Sequence, residues 1–240
     1  AIYDGGAMIA TGGDMVARGA RLSFEEVLVT CATVDLDRNR CSQNWAASYH
    51  PAFGPEGGGV VEVEFSIRQS CEPSTPQLAE DGVGTWDADW VGKEDEFTRA
   101  VALGLFDYAR KSRSRGFVLS LSGGADSASC AALVWAMVHL AKAELGEKAA
   151  ADRLGLKSLA MPEMLTCVYQ ATRNSSTVTR EAARAVAEGV GATFYEFDVD
   201  GIVENYRGAV ESCIDRKLSW KTDDLALQNI QARVRSPGVW

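Results

Sequence analysis

The spacing of apolar positions divides the chain into three regions. In residues 1–40, short apolar runs flank the turn sequence Gly12–Asp14, which predicts a β-hairpin because glycine and aspartate favour tight turns. The β-branched run at 26–36 predicts a further strand. Residues 41–93 are rich in glycine and proline, and they predict a linker with one alternating strand at 60–67. The few strands predicted in residues 1–40 cannot bury their own faces, and we therefore expect this region to pack against a partner.

From residue 94 the pattern changes to alternating helices and strands. The strands are predicted as short apolar runs at 116–121, 165–171 and 192–199, and the helices at 94–112, 126–145, 176–191, 203–214 and 223–234. In the first of these helices, apolar residues from Phe97 to Tyr108 recur at spacings of three and four, which predicts an apolar face. Alternation of this kind is typical of an α/β fold whose parallel sheet is covered on both faces.

Composition and charge narrow the possible functions. The chain of 240 residues is 46% hydrophobic, enough for a core, and its net charge of -9 disfavours binding to nucleic acid or anionic membranes. We expect no stretch that could span a bilayer, and the first residues lack the basic segment of a signal peptide. The six cysteines form no C-x-x-C pair, so a structural zinc site is not expected. These features predict a cytoplasmic protein with reduced thiols.

A glycine-containing loop joins the first strand of the α/β region to its longest helix. Gly123 and Gly124 can expose backbone N–H groups, and the helix that follows offers free N–H groups with a positive partial charge. This arrangement predicts a phosphate or pyrophosphate site, to which Ser122 and Ser127 add hydroxyl donors. Asp126 would suit Mg²⁺, which bridges carboxylates and nucleotide phosphates. The alternative is a tight glycine turn with an aspartate or serine helix cap.

The loop matches one phosphate-binding motif and not the commoner ones. No lysine follows the glycines as in a Walker A loop, and G-x-G-x-x-G does not occur. The S-G-G-x-D-S pattern at 122–127 resembles the loop of the ATP-pyrophosphatase superfamily, whose members cleave ATP between the α and β phosphates. The resemblance implies catalytic roles for Ser122 and Asp126, with Asp126 on Mg²⁺. The ATP-binding residues it implies are Ser120, Leu121, Ser122, Gly123, Gly124, Ala125, Asp126, Ser127 and Ser176.

Longer stretches resemble glutamine-dependent NAD synthetases within that superfamily. Residues 96–128 and 164–192 resemble the first two strand-and-helix units of the synthetase domain, and 223–235 carries its N-I-Q-A-R helix. Residues 2–37 resemble the last strands of the nitrilase-type glutaminase domain that precedes it. The implied architecture is an incomplete adenine nucleotide alpha hydrolase-like domain at 94–240, preceded by a linker at 41–93. Terminal strands of a nitrilase-like α/β/β/α domain occupy 1–40.

The same resemblance implies a reaction and its substrates. ATP adenylates the nicotinate carboxylate of deamido-NAD, and ammonia derived from glutamine then displaces AMP to give NAD. Asn229, Gln231 and Arg233 would bind deamido-NAD, and Asn229 and Arg233 share a helix face because they are four residues apart. For Arg233 the alternative is an ordinary exposed arginine on a surface helix. Family members form multimers, so a homo-oligomer is expected.

The loop after the second strand allows two interpretations. Thr172 and the run from Asn174 to Ser176 follow that strand, where the adenosine half of a nucleotide commonly binds. Ser176 or Thr177 could instead be an ordinary helix N-cap.

Two departures from the family pattern limit what the chain is expected to do. The family's glutaminase uses a Glu-Lys-Cys set that we expect upstream of Asp4, so this chain alone should not hydrolyse glutamine. Further synthetase ligands would follow Trp240, and Pro237 with Gly238 would end a helix that usually continues. Two other hypotheses therefore stay open: another amide-forming ligase of the superfamily, or a non-catalytic nucleotide-binding fragment.

Overall fold

A computed structural model describes residues 2–45, 63–64, 66 and 92–240. The chain divides into two compact units. One comprises residues 4–91, and the other comprises residues 92–240 together with 1–3.

The amino-terminal unit contains the predicted hairpin. Strands β1 (Met8–Thr11) and β2 (Asp14–Arg18) pair in the antiparallel direction. Gly12 and Gly13 join them with φ angles of 59° and 89°, and such angles are strained for residues with a Cβ. The prediction of a hairpin here is confirmed.

The predicted third strand of this unit is wrong. The run at 26–36 pairs with no strand in the described part of the chain, and its first valines, Val27 and Val29, are 77% and 80% exposed. A β-branched run forms a strand only where a neighbour accepts its hydrogen bonds, and sequence pattern cannot supply that neighbour. The chain continues into helix α1 (Leu36–Trp45), which crosses the predicted boundary at residue 40. The strand predicted at 60–67 lies largely outside the described residues.

The carboxy-terminal unit is a three-stranded parallel sheet with helices around it. Its strands β3 (Phe117–Ser120), β4 (Leu165–Ala171) and β5 (Thr193–Asp198) are in the order β3-β4-β5, so β4 is central. The helices are α2 (Lys93–Ser112), α3 (Ala125–Leu145), α4 (Glu147–Leu154), α5 (Met161–Met164), α6 (Thr177–Gly189), α7 (Asp200–Ile214) and α8 (Asp224–Arg233). The predicted α/β class with a parallel sheet is confirmed, whereas α4 and α5 were not predicted.

Helix α2 buries a different face from the apolar one in its sequence. Ala102, Phe106 and Ala109 are buried, whereas Phe97 and Tyr108 are 62% and 64% exposed. Spacings of three and four also relate the buried residues, so the pattern could not decide between the two stripes. The small alanines allow α2 to approach its neighbour α3 closely.

Helix α3 forms much of the core beside the sheet. Its buried side chains include Val134, Met137 and Val138, and the helix packs against α2, α4, α6 and the sheet. By length and composition alone its 21 residues could cross a membrane, so the expectation that no stretch is long and apolar enough is wrong. A core helix of an α/β domain passes the same test, because it too must be apolar on several sides. Here 33% of the apolar window is buried, along the side that packs on the sheet and the neighbouring helices.

Helix α8 ends at Arg233, before the predicted break. A short 3₁₀ turn at Pro237–Val239 follows it. Proline at 237 lacks a backbone donor, so it cannot make the hydrogen bond that would continue α8 through this position, although Ser236 before it keeps helical angles. This segment turns back toward the sheet, where it packs near β3.

Candidate functional site

A cavity of about 290 Å³ lies at the carboxyl ends of β3 and β4. In open parallel sheets this edge is where ligands bind. Four segments line it: the end of β3 with its glycine loop, the end of β4 with the loop that follows, the first turn of α6, and the end of α8. We call it the nucleotide pocket after the ligand that the sequence predicts there. Four of the predicted ATP-binding residues line it, Ser120, Leu121, Ser122 and Ser176, whereas residues 123–127 are not part of its lining.

Glycine occupies the two positions of the loop, 123 and 124, for different structural reasons. Gly123 has a φ of +80°, and a Cβ there would lie 2.2 Å from the backbone oxygen of Thr179 in α6. The fold therefore demands glycine at 123, whatever binds nearby. Gly124 has an ordinary φ of -96°, and a Cβ there would meet only the Ser122 hydroxyl, at 3.4 Å. Since the fold leaves room for a side chain at 124, a ligand that approaches the bare backbone is the better explanation for this glycine.

The two loop serines are held together by hydrogen bonds. The Oγ atoms of Ser122 and Ser127 are 3.0 Å apart, and the Ser122 N–H donates to Ser127 Oγ at 3.2 Å. The Gly124 N–H donates to Ser122 Oγ at 3.3 Å, while Ser127 Oγ lies 3.0 Å from the Gly124 carbonyl, to which it donates. These bonds place both hydroxyls at the same end of α3 before any ligand binds.

The amino terminus of α3 supplies backbone donors. Its first intrahelical bond runs from the Ala128 N–H to the Gly124 carbonyl, and no side chain caps the helix at Gly124. The N–H groups from Ala125 to Ser127 precede that bond, so they can donate to an anion, which the helix dipole also favours. The alternative of a serine- or aspartate-capped glycine turn therefore does not describe this loop.

Asp126 lies in the first turn of α3 with an exposed carboxylate. In the described part of the chain no other side chain bonds to it, and no group of three potential metal ligands occurs there. Mg²⁺ at nucleotide sites is commonly held by one or two carboxylates plus phosphate oxygens and water. The donor set therefore fits a cation that a bound nucleotide would help to hold.

The remaining residues predicted on β3 have distinct roles. Leu121 is only 1% exposed, and its N–H donates to the Val168 carbonyl at 2.9 Å, so it contributes backbone rather than side chain to the pocket. Ser120 ends β3, and its hydroxyl donates to the side-chain oxygen of Gln170 at 3.3 Å.

The loop after β4 contains the predicted helix N-cap, and it also lines the cavity in which the other interpretation places a nucleotide. Ser176 is the N-cap of α6, where its hydroxyl accepts a hydrogen bond from the Thr179 N–H at 3.1 Å. It also lines the nucleotide pocket, as do Thr172, Asn174 and Ser175. The Thr172 N–H donates to Ser175 Oγ at 2.9 Å, which fixes this loop beside the pocket.

The N-I-Q-A-R helix divides its polar residues between two cavities. Gln231 faces the nucleotide pocket. Asn229 and Arg233 share a face, as predicted, but they line a second cavity of about 320 Å³ beside Phe197 and Tyr206. We call this cavity the aromatic pocket.

Arg235 is the residue that sequence reasoning missed. It lines the nucleotide pocket together with Gln231 and Ser122. Its side chain is half-buried, and no carboxylate pairs with it among residues 2–45 and 92–240. An unpaired guanidinium near a phosphate-binding loop is suited to bind an anionic ligand. The signal was present in the sequence, because Arg235 stands four residues after Gln231 and so belongs to the same side of the segment.

Two carboxylates fix the connection between α7 and α8. Glu211 is 7% exposed and accepts hydrogen bonds from Arg207, Lys217 and the Leu218 N–H, each at 2.8–2.9 Å. The pKa of Glu211 is lowered to about 2, chiefly by the hydrogen bonds from Lys217 and from the Leu218 N–H. Asp223 accepts two bonds from Arg216, and these lower its pKa as well. Both contacts fix the start of α8, and hence its functional residues.

The parallel sheet, the glycine loop and the helix amino terminus together define a domain with a fold of the ATP-pyrophosphatase type. The profile of the family described as NAD synthase matches residues 97–238. The chain belongs to the NAD synthase family.

Individual relatives agree with that assignment. Glutamine-dependent NAD(+) synthetases of Oryza sativa subsp. indica and Homo sapiens are 33% and 31% identical to the chain over 97% of its length. A crystal structure of a glutamine-dependent NAD(+) synthetase from Cytophaga hutchinsonii has a TM-score of 0.70 and 34% identity, and the match covers 99% of this chain. The chain spans about a third of the length of these proteins, covering 34%, 35% and 35% of them.

Proposed function

We propose that the protein carrying this chain makes NAD by ATP-dependent amidation of deamido-NAD. The observation that carries the proposal is that Ser122, which hydrogen bonds tie to the first turn of α3, lines the same pocket as Arg235. In the described part of the chain no carboxylate pairs with that guanidinium. Both substrates are anionic and must meet there, because the carboxylate of one attacks the α-phosphorus of the other. Names of the relatives, which are glutamine-dependent NAD(+) synthetases, support the same reaction.

The first step forms an acyl adenylate. A carboxylate oxygen of deamido-NAD bonds to the α-phosphorus of ATP, and the bond from that phosphorus to the bridging oxygen breaks, so pyrophosphate leaves with the electron pair. Negative charge grows on the leaving group. The N–H groups from Ala125 to Ser127 and the hydroxyls of Ser122 and Ser127 would stabilise this charge from fixed positions.

Ser122 acts in this proposal as a hydrogen-bond donor and not as a nucleophile. In the described part of the chain its hydroxyl contacts only Ser127 Oγ and the Gly124 N–H. Neither group can accept the proton as a general base would, so nothing there activates Ser122 for attack.

Asp126 would hold Mg²⁺ together with the phosphates of ATP. The ion, when bound, neutralises phosphate charge. The carboxylate of Asp126 suits this role because Asp126 lies in the same helical turn as the N–H donors.

Deamido-NAD would be bound from the opposite wall of the pocket. Gln231 offers an amide and Arg235 a cation there. Asn229 and Arg233 would bind a more distant part of the same substrate, in the aromatic pocket beside Phe197 and Tyr206. An apolar cavity with a guanidinium at its edge suits an aromatic base that is linked to a phosphate.

The second step is amide formation. Ammonia attacks the acyl carbon of the adenylate, AMP leaves, and the ammonium proton is lost to solvent. Glutamine would supply the ammonia in another part of the whole protein. We further propose that this protein is a cytoplasmic homo-oligomer, as composition and resemblance suggest.

The test uses the protein in the full length encoded by its gene. Incubation with ATP, deamido-NAD, Mg²⁺ and ammonium chloride should yield NAD, AMP and pyrophosphate in equal amounts. Asp126→Ala should reduce the rate by at least about a hundredfold if it holds the ion. Normal turnover in Asp126→Ala would refute the metal role, and ATP binding without AMP release in the unaltered protein would refute the reaction.

A further inference from the structure

Gln170 is a buried polar side chain between the two functional segments. It lies near the end of β4 with 5% of its surface exposed. Its side-chain oxygen accepts a hydrogen bond from Ser120 Oγ at 3.3 Å, and its Nε2 donates to the backbone carbonyl of Arg235 at 2.7 Å. A buried amide is costly unless both ends are satisfied, so these two bonds tie the end of β3 to the segment after α8.

The segment after α8 packs closely on the same amide. A Cβ at Gly238 would lie 2.3 Å from Gln170 Nε2 and 2.7 Å from the Phe197 ring. The chain at 235–238 therefore crosses directly over Gln170. Arg235 faces the nucleotide pocket from this segment, whereas Pro237 and Gly238 face the aromatic pocket. The segment is thus the wall shared by the two cavities, and Gln170 is its hydrogen-bonded support.

We infer that Gln170 is a positioning residue that holds Arg235 in register with the glycine loop. The inference rests on the proposed function, since it concerns how the second substrate is held. Gln170 is suited to this because a neutral amide is acceptor at one end and donor at the other, with a fixed distance between them. Methionine could fill the same space but could make neither bond.

Loss of the amide should affect the two substrates unequally. The ATP-binding groups of α3 and the glycine loop are held by their own hydrogen bonds and by the contact of Gly123 with Thr179. Arg235 lies beyond the end of α8, and its carbonyl is the group that Gln170 holds. Binding at Arg235 should therefore weaken most, while the ATP site loses only the bond between Ser120 and Gln170 and keeps the geometry of the glycine loop and α3.

The experiment measures steady-state kinetics of the full-length protein with both substrates varied. Gln170→Met and Gln170→Glu should each raise the KM for deamido-NAD about tenfold, and Gln170→Met should raise the KM for ATP by less than about twofold. Glutamate still accepts a bond from Ser120, but it sets a carboxylate oxygen against the Arg235 carbonyl. An unchanged KM for deamido-NAD in Gln170→Met would overturn the inference.

Val168→Ala is the matched control. Val168 is also buried on β4, 4% exposed, and stands two residues earlier on the same strand face, away from the nucleotide pocket. The Val168→Ala substitution should lower the thermal midpoint of unfolding without changing the ratio of the KM for deamido-NAD to the KM for ATP. If Val168→Ala gave the same unequal rise, general loosening of β4 would explain the result and the positioning role would be refuted.

A second measurement separates this inference from the proposed function. Amide hydrogen exchange at 234–239 should be faster in Gln170→Met than in the unaltered protein, because the wall segment loses its support. This holds even if the unaltered protein shows no reaction with deamido-NAD, an outcome that would refute the proposed function alone. Unchanged exchange in that segment would overturn the positioning role by itself.

Discussion

Single residues decide the geometry of the glycine loop, and its two glycines should respond differently to the same substitution. Gly123→Ala places a Cβ against the Thr179 backbone at a φ of +80°, so we expect a loss of more than about 2 kcal/mol of stability together with loss of ATP binding. Gly124→Ala should cost less than about 1 kcal/mol and still weaken ATP binding, because its Cβ occupies the approach to the backbone. Urea denaturation and calorimetric titration with ATP measure the two effects. Unimpaired ATP binding in Gly124→Ala would contradict this interpretation of the loop.

The two arginines at the end of α8 should also be separable. Arg235→Ala removes the cation of the nucleotide pocket, so we expect kcat/KM for amidation to fall by about a hundredfold or more. Arg233→Ala changes only the aromatic pocket, and its effect should appear mainly as a higher KM for deamido-NAD. Steady-state kinetics of the two variants compare them directly. If only Arg233→Ala were impaired, the assignment made from the sequence motif would stand and that made from the structure would fall.

At the scale of elements, helix α2 shows how two stripes of one sequence compete for the core. Phe106→Ala should cost about 3–5 kcal/mol because it leaves a cavity among buried neighbours. Phe97→Ala removes the same side chain from an exposed position of the same helix, and it should cost less than about 1 kcal/mol in this chain. Chemical denaturation of the pair is a matched comparison, and equal losses would show that the sequence stripe is buried after all.

The connection between α7 and α8 should respond to acid. The pKa of Glu211 is lowered from 4.5 to about 2, so its stabilising contribution is fully present above pH 4.5 and is lost as the pH falls toward 2. Glu211→Gln should therefore lower the thermal midpoint at pH 7, and the difference from the unaltered chain should shrink between pH 4.5 and 2. Glu204→Gln, on the exposed side of the same helix, is the control and should change little. A difference that stayed constant with pH would contradict this assignment.

At the scale of the whole molecule, sequence reasoning succeeded where local pattern and tertiary structure agree. Strand β4 has the predicted bounds because its short, largely apolar run is typical of a strand that is buried on both faces, and β4 is the central strand of the sheet. The run at 26–36 failed because a strand needs a partner that local pattern cannot show. The glycine loop was found from its motif, whereas the division of α8 between two cavities depends on where the chain turns after Arg233. Gln170 was equally invisible, since its role depends on contacts with Ser120 and Arg235, 50 and 65 residues away.

Strand β3 has a consequence for how this chain behaves in concentrated solution. In the described part of the chain it pairs with β4 alone, and an edge strand of this kind can accept a strand from another molecule. Val118 on this strand is 55% exposed. The strand contains no charged residue that would discourage such pairing. We expect the 240-residue chain to self-associate as its concentration rises, and Val118→Lys to reduce this in light scattering. Equal scattering from both chains would show that association, if it occurs, uses another surface.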